Sequence, residues 1–199
     1  MDKSIDKAIK AVKEGKIIIY PTETCYGIGT NALNEESIKR IYEIKNRSKE
    51  KKMSCLVSSI EQAERYCELN EKERRICEKF MPGPLTLIAE KKNKIPGILN
   101  KDFAFRISSN EIARKIPEKS GVPLVSTSAN ISGEDNPYEI EEISNVLKEK
   151  IDFIVDIGRL EKTPPSTLLK IENGKIKIFR EGPISQKDIE KELSLLKNE

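Results

Sequence analysis

Apolar residues recur along this chain in two rhythms, at spacings of three and four and at spacings of two, and the switches between them mark out the elements. Ile5, Ala8, Ile9 and Val12 share one face of a helix that starts at Ser4 and stops at Gly15, and a strand over 16–20 follows at once. After a polar loop over 21–34, Ile38, Ile41, Tyr42 and Ile44 predict an amphipathic helix. Residues 53–57 read as a buried strand and 60–69 and 71–80 as helices, the second closed by Pro82-Gly83-Pro84. Strands are predicted over 85–89 and 103–107, a short helix over 111–118, and a strand over 123–127 whose apolar half turns abruptly polar. A helix around 138–148 precedes a strand over 151–156. The last two strands, 167–171 and 175–179, meet through Asn173-Gly174, a strong hairpin signal, and a charged helix over 186–197 follows. Helices alternating with strands, without repeats or low-complexity linkers, imply an α/β fold with a mixed sheet. The 199 residues fit one domain, which we expect over 1–185, followed by a charged helical tail over 186–199.

Composition narrows the chemistry. With 5% aromatic residues and no Trp, a large ring-lined pocket is not expected. The longest strongly apolar stretch, residues 17–20, is far too short to cross a bilayer, and residues 1–4 lead into a charged helix pattern rather than a signal sequence. A cytoplasmic protein without membrane attachment is the expectation. The four cysteines, at 25, 55, 67 and 77, have no short paired spacing, and the chain has no His, so reduced packing thiols and no metal site are expected. The missing His also excludes Ser-His-Asp and Cys-His catalysis. What remains is Lys, Arg, carboxylates, hydroxyls, backbone amides or a metal brought by a ligand.

Net charge is only +3, yet residues 39–52 hold seven Lys or Arg against Glu43 and Glu50. Lys45 and Arg47 either complement the dipole at a helix end or, with Lys49, Lys51 and Lys52, await a polyanion. Neither fits an apolar core pattern. The loop 21–29 offers Thr22, Glu23, Thr24 and two glycines, and residues 126–133 concentrate hydroxyls and an amide straight after an apolar strand, where ligands of α/β proteins dock. A glycine turn and a capping cluster are the plainer readings of these two segments. Arg106 interrupts an apolar strand and must be paired or face a cavity. Neither a Walker-type phosphate loop nor a GxGxxG fingerprint is present, so a nucleotide would need another solution.

In order, the stretches 20–27 (YPTETCYG), 45–47 (KNR), 82–86 (PGPLT), 105–106 (FR), 127–133 (TSANISG), 165–167 (PST) and 180–182 (REG) resemble the threonylcarbamoyl-AMP synthases, the YrdC-type family. The resemblance implies a twisted, mixed, open sheet flanked by helices around a deep basic cavity. It implies condensation of L-threonine, bicarbonate and ATP, the ATP arriving with Mg²⁺, in the first step of tRNA threonylcarbamoyladenosine modification. The product would pass to a downstream tRNA threonylcarbamoyl transferase complex. Position by position, Thr24, Arg106, Ser126 and Ser166 are expected around threonine, and Arg47, Lys51, Ser128, Asn130, Asn136 and Arg180 around ATP. Lys45 and Arg47 are the expected catalytic cations. Ser48 and Lys52 stand where the family has prolines, and Leu56 where many members place a His near the amino acid. Two other uses of the same cavity are weak RNA binding, which the lack of interleaved aromatics opposes, and the carbamoyl-transfer module of hydrogenase-maturation proteins, whose zinc-finger cysteines are missing here.

Overall fold

The computed structural model describes residues 2–92, 94–99 and 101–196. Helix α1 (Asp2–Lys13) leads into β1 (Ile18–Pro21) and β2 (Tyr26–Gly29), followed by α2 (Glu35–Ile44), β3 (Ser54–Leu56), α3 (Ile60–Glu64), β4 (Cys67–Glu68) and α4 (Glu71–Phe80). Then come β5 (Leu85–Lys91), β6 (Phe103–Arg106), α5 (Glu111–Ser120), β7 (Leu124–Ser128), α6 (Asn145–Lys148), β8 (Phe153–Ile154), β9 (Thr167–Glu172), β10 (Lys175–Arg180) and α7 (Gln186–Leu195). The strands form one mixed sheet in the order β10-β9-β5-β6-β3-β7-β2-β1-β8, with β4 added beside β5. The pairs β3–β6, β5–β9 and β1–β8 run parallel and the others antiparallel.

Local chemistry sets the helix boundaries. Asn34 caps α2 through the Ser37 N–H, Asn70 and Glu73 form a reciprocal capping box on α4, and Asn110 caps α5, which ends on Gly121 at φ 78°. On α7, Ser185 and Asp188 do the same as Asn70 and Glu73. That helix belongs to the main body: Ile189 enters the large core and Arg75 on α4 meets the buried Glu192 at 2.6 Å.

Alternation along the strands divides the molecule. One face carries Ile19, Ile28, Cys55, Val125, Phe105, Leu87 and Leu169 into the large core, against residues of α2, α4 and α7. The other face is covered only in part. Ile18, Tyr20, Leu56 and Leu124 pack there against Ile5, Ala8 and Val12 of α1 and Ile112 and Ile116 of α5. Beyond these helices the same face holds Ser54, Thr86, Arg106 and Ser126, and a cavity opens over them.

Three departures from the sequence pattern have physical causes. The loop expected over 21–34 contains β2, half of it glycine, a residue depleted from strands. The glycines are required: a Cβ on Gly27 would lie 3.2 Å from the Tyr20 ring, and one on Gly29 would lie 2.0 Å from the Val125 carbonyl oxygen. The helix expected over 138–148 breaks into a 3-10 turn at Ile140–Glu142 and the short α6, because Ile143 is extended and the chain restarts at Ser144. The helix expected over 60–69 stops at Glu64, since Cys67 and Glu68 pair with Lys91 and Glu90. Residue 197, the expected end of the last helix, lies outside the described residues.

Gly29→Ala is expected to lower unfolding stability by about 2 kcal/mol or more, the cost of forcing a methyl group into backbone with no room. Urea denaturation checks this, and a change under 0.5 kcal/mol would refute the close approach of β2 and β7.

Candidate functional site: a cavity ringed by three arginines

Segments from across the chain meet at the uncovered part of the sheet. The β1–β2 turn brings Thr22, Thr24 and Cys25; the loop after α2 brings Arg47 and Lys52; β3 brings Ser54. Strands β5 and β6 add Thr86, Ile88, Ala104 and Arg106, β7 adds Ser126, Thr127 and Ser128, and Asn136 follows on the next loop. Pro165, Ser166 and Leu168 at the start of β9 and Arg180 at the end of β10 close the ring around about 1010 Å³ of space, its open mouth included. Among the described residues, four cations and no Asp or Glu line it.

The β1–β2 turn is held by the Thr22 hydroxyl, which donates to the Cys25 carbonyl at 2.7 Å and accepts from the backbone N–H groups of Thr24 and Cys25. The Thr24 hydroxyl, 3.0 Å from that of Thr22, stands on the cavity wall and accepts from Arg106 Nη1 at 3.4 Å. Arg106 is buried and ion-paired with Glu23 at 3.0 Å, so both readings of this cation hold: it is paired and it faces the cavity. Ser166 shares a 2.8 Å hydrogen bond with Thr86, and Arg180 donates to both its carbonyl and its hydroxyl. Gly182 lets the chain after β10 fold over this junction; a Cβ there would be 2.4 Å from the Pro165 carbonyl oxygen and the Thr167 nitrogen. Burial, and then the nearby Arg106, draw Arg180 below the usual arginine range. Burial pushes the Cys25 thiol up, so this cysteine reaches the cavity as a neutral group.

Lys45-Asn46-Arg47 ends α2 in a reverse turn. Asn46 takes a left-handed φ of 48°, Arg47 N–H returns to the Tyr42 carbonyl and Asn46 N–H to that of Glu43, a Schellman-type closure. The turn sends the two cations in different directions. Arg47 reaches the cavity and holds the next loop by donating to the carbonyls of Lys51 and Lys52 at 2.6 and 2.8 Å. Lys45 turns inward and is 1% exposed. Its ammonium donates to the carbonyls of Ser128 and Asn130 and to Asn130 Oδ1, at 2.5, 2.6 and 3.1 Å.

Of the residues expected at the site, Thr24, Arg47, Arg106, Ser126, Ser128, Asn136, Ser166 and Arg180 come together on the cavity wall. Lys45, Lys51 and Asn130 do not line it. Lys45 belongs to the buried interior, against the expectation that it fits no core pattern, because three oxygens replace the water its charge loses. Asn130 completes that nest and donates to the Glu134 carbonyl at 2.5 Å, and the Lys51 carbonyl serves Arg47. Thr86 and Ser54 are cavity residues that sequence reasoning left unassigned, although each is a hydroxyl inside an apolar strand. Leu56 pairs in register with Arg106 but packs under α1 and α5, not in the cavity. The basic stretch 39–52 is not one surface: Lys39 pairs with Glu35 and Glu36, Arg40 with Asp152, and Lys45 is buried.

A family model described as telomere recombination, the Sua5/YciO/YrdC model, matches residues 10–182. The chain belongs to this family. A Methanocaldococcus jannaschii member, provisionally named a threonylcarbamoyl-AMP synthase, is 43% identical over 88% of this chain and 84% of its own. The Pyrococcus abyssi threonylcarbamoyl-AMP synthase is 34% identical over 90% of this chain, which spans only 54% of that longer protein. The family fold agrees: the crystal structure of P. abyssi Sua5 complexed with L-threonine superposes with a TM-score of 0.89 at 33% identity, covering 97% of this chain and 58% of that one. Among the described residues no helix is long and apolar enough to cross a membrane.

Burial, with Arg47 second, pulls Lys45 from the usual lysine value of 10.5 to about 7. Between these two values the unfolded chain binds more protons than the folded one, so the cost of burying the Lys45 charge is full below about pH 7 and shrinks as pH rises toward 10.5. Thiols and phenols raised by burial act oppositely at alkaline pH, but they are common to wild type and Lys45→Met. The stability of wild type relative to Lys45→Met is therefore expected to increase between pH 7 and 9, by at most about 1.4 kcal/mol per pH unit. Urea unfolding of both proteins at four pH values tests this, and a flat difference would place the ammonium in contact with solvent.

Proposed function

We propose that the cavity condenses L-threonine, bicarbonate and ATP to L-threonylcarbamoyladenylate and pyrophosphate, supplying tRNA threonylcarbamoyladenosine modification. The observation that carries this reading is the placement of Arg106 among the Thr24, Ser126 and Ser166 hydroxyls, in the same cavity as Arg47, Ser128, Asn136 and Arg180. An amino acid and a triphosphate need such a pair of neighbouring anion sites.

In this mechanism the amine of threonine, unprotonated at the moment of attack, adds to the carbon of bicarbonate and yields a carbamate with loss of water. A carbamate oxygen then attacks the α-phosphorus and pyrophosphate leaves, so the adenylyl group moves from one oxygen to another. The enzyme is thus read as a nucleotidyltransferase. Arg106 holds the threonine carboxylate, and Arg47 and Arg180 stabilise charge developing on the phosphates, with Ser128 and Asn136 completing the ATP end. Such reactions depend on positioning and preorganised charge, and no histidine base is required. Mg²⁺ belongs to the ATP substrate in this scheme and needs no resident carboxylate cluster.

Lys45 acts from behind the wall: tying back the Ser128 and Asn130 carbonyls fixes the segment that carries the Ser128 hydroxyl. Asn130 and Lys51 act in the same indirect way, through Lys45 and Arg47. Residues 1–185 are the catalytic unit, and α7 buttresses it through α4. The labile adenylate passes in the cytoplasm to a threonylcarbamoyl transferase acting on tRNA.

Each amino acid in turn, supplied with ATP, Mg²⁺ and labelled bicarbonate, tests the reading. Threonine-dependent pyrophosphate release with label in an adenylate is expected, and strong RNA affinity without turnover would overturn it. Arg47→Ala is expected to lower turnover by about 10²–10³-fold, the usual cost of one preorganised charge donor, with the far-ultraviolet circular dichroism unchanged.

A further inference from the structure

The three cavity arginines are held in two different ways. Arg47 donates to the carbonyls of Lys51 and Lys52, and Arg180 to the carbonyl and hydroxyl of Ser166, so among the described residues both rest on neutral oxygens. Arg106 faces a carboxylate, Glu23, at 3.0 Å. Glu23 lies behind the wall rather than on it, its Oε2 bound by the Ser108 hydroxyl and its backbone carbonyl by the Thr163 hydroxyl at 2.8 Å. Its Oε1 receives no aligned hydrogen bond among the described residues despite the ion pair. The carboxylate therefore offsets the Arg106 charge through Nη1, which also donates to the Thr24 hydroxyl at 3.4 Å, and among the described residues it leaves Nε and Nη2 to a ligand.

We propose that Glu23 is the specificity-determining residue that divides the cavity into a carboxylate end and a phosphate end. The inference rests on the reading of this cavity as a threonine and ATP site. An arginine already balanced by one carboxylate attracts a polyanion weakly, yet its donors still fit a planar carboxylate held by neighbouring hydroxyls. Two unbalanced arginines favour the triphosphate. Without the Glu23 charge, all three guanidiniums become phosphate sites and the amino acid loses its reserved place.

Inorganic tripolyphosphate is the probe, since it carries the charge of ATP and no nucleoside. In the wild type it is expected to compete with ATP and not with threonine. In Glu23→Gln it competes with both, the KM for threonine rises at least tenfold and the KM for ATP changes less than threefold, while Glu23→Asp keeps the wild-type pattern. A general weakening of the fold would move both KM values and would not change the mode of inhibition. Tripolyphosphate that leaves threonine undisturbed in Glu23→Gln overturns the proposal. Because that variant leaves a buried cation unpaired, its melting temperature carries the same test should it be too unstable to turn over. Saturating tripolyphosphate should then raise the melting temperature more than in wild type, and an equal or smaller rise overturns the proposal. Wild-type protein without threonine-dependent turnover would remove the reading of the cavity itself, together with the role of Glu23; turnover with unchanged competition removes only the latter.

Discussion

A strand shows successive side chains to opposite faces, and this sheet has helices enough to bury most of one face and only part of the other. The site follows from that shortage. Where α1 and α5 reach, the second face is Ile18, Tyr20, Leu56 and Leu124; where they do not, the same register continues as Ser54, Arg106 and Ser126. A polar residue two positions along from an apolar one, on a single strand, thus marks the edge of the covering helices. Polar residues on the uncovered part keep water, a neighbour or a ligand as partner.

Charge organises what stands there. No acid among the described residues lines the cavity, and its arginines are held by carbonyls, by hydroxyls and by one carboxylate placed behind the wall. The Lys45 nest joins the end of α2 to the segment after β7, and the Lys45 carbonyl returns the bond by accepting from the Ser132 N–H at 2.8 Å. A charge buried in this way gives rigidity and specificity rather than net stability, which suits a segment that must present the Ser128 hydroxyl at a fixed position.

Elements whose cause is local were legible in the chain. Asn173-Gly174 fixed the β9–β10 hairpin, and Gly121 closes α5 within three residues of the expected end. Strand β2 was not legible, because its glycines answer to the Tyr20 ring and the Val125 carbonyl, a hundred residues apart in sequence. The grouping of Thr24, Arg106, Ser126, Ser166 and Arg180 came from the order of motifs that resemble a family. No periodicity or composition brings those residues together.

By itself the sequence determined the fold class, the absence of histidine chemistry and the residues able to carry anion binding, because each depends on residue type or short-range spacing. The tertiary structure decided which cations face the cavity. Lys45 and Arg47 are two residues apart on one helix end, and the left-handed turn at Asn46 and the carbonyls of Ser128 and Asn130 send one into the interior and the other to the wall. Desolvation and its compensating bonds are set by partners more than eighty residues away, and no local pattern records them.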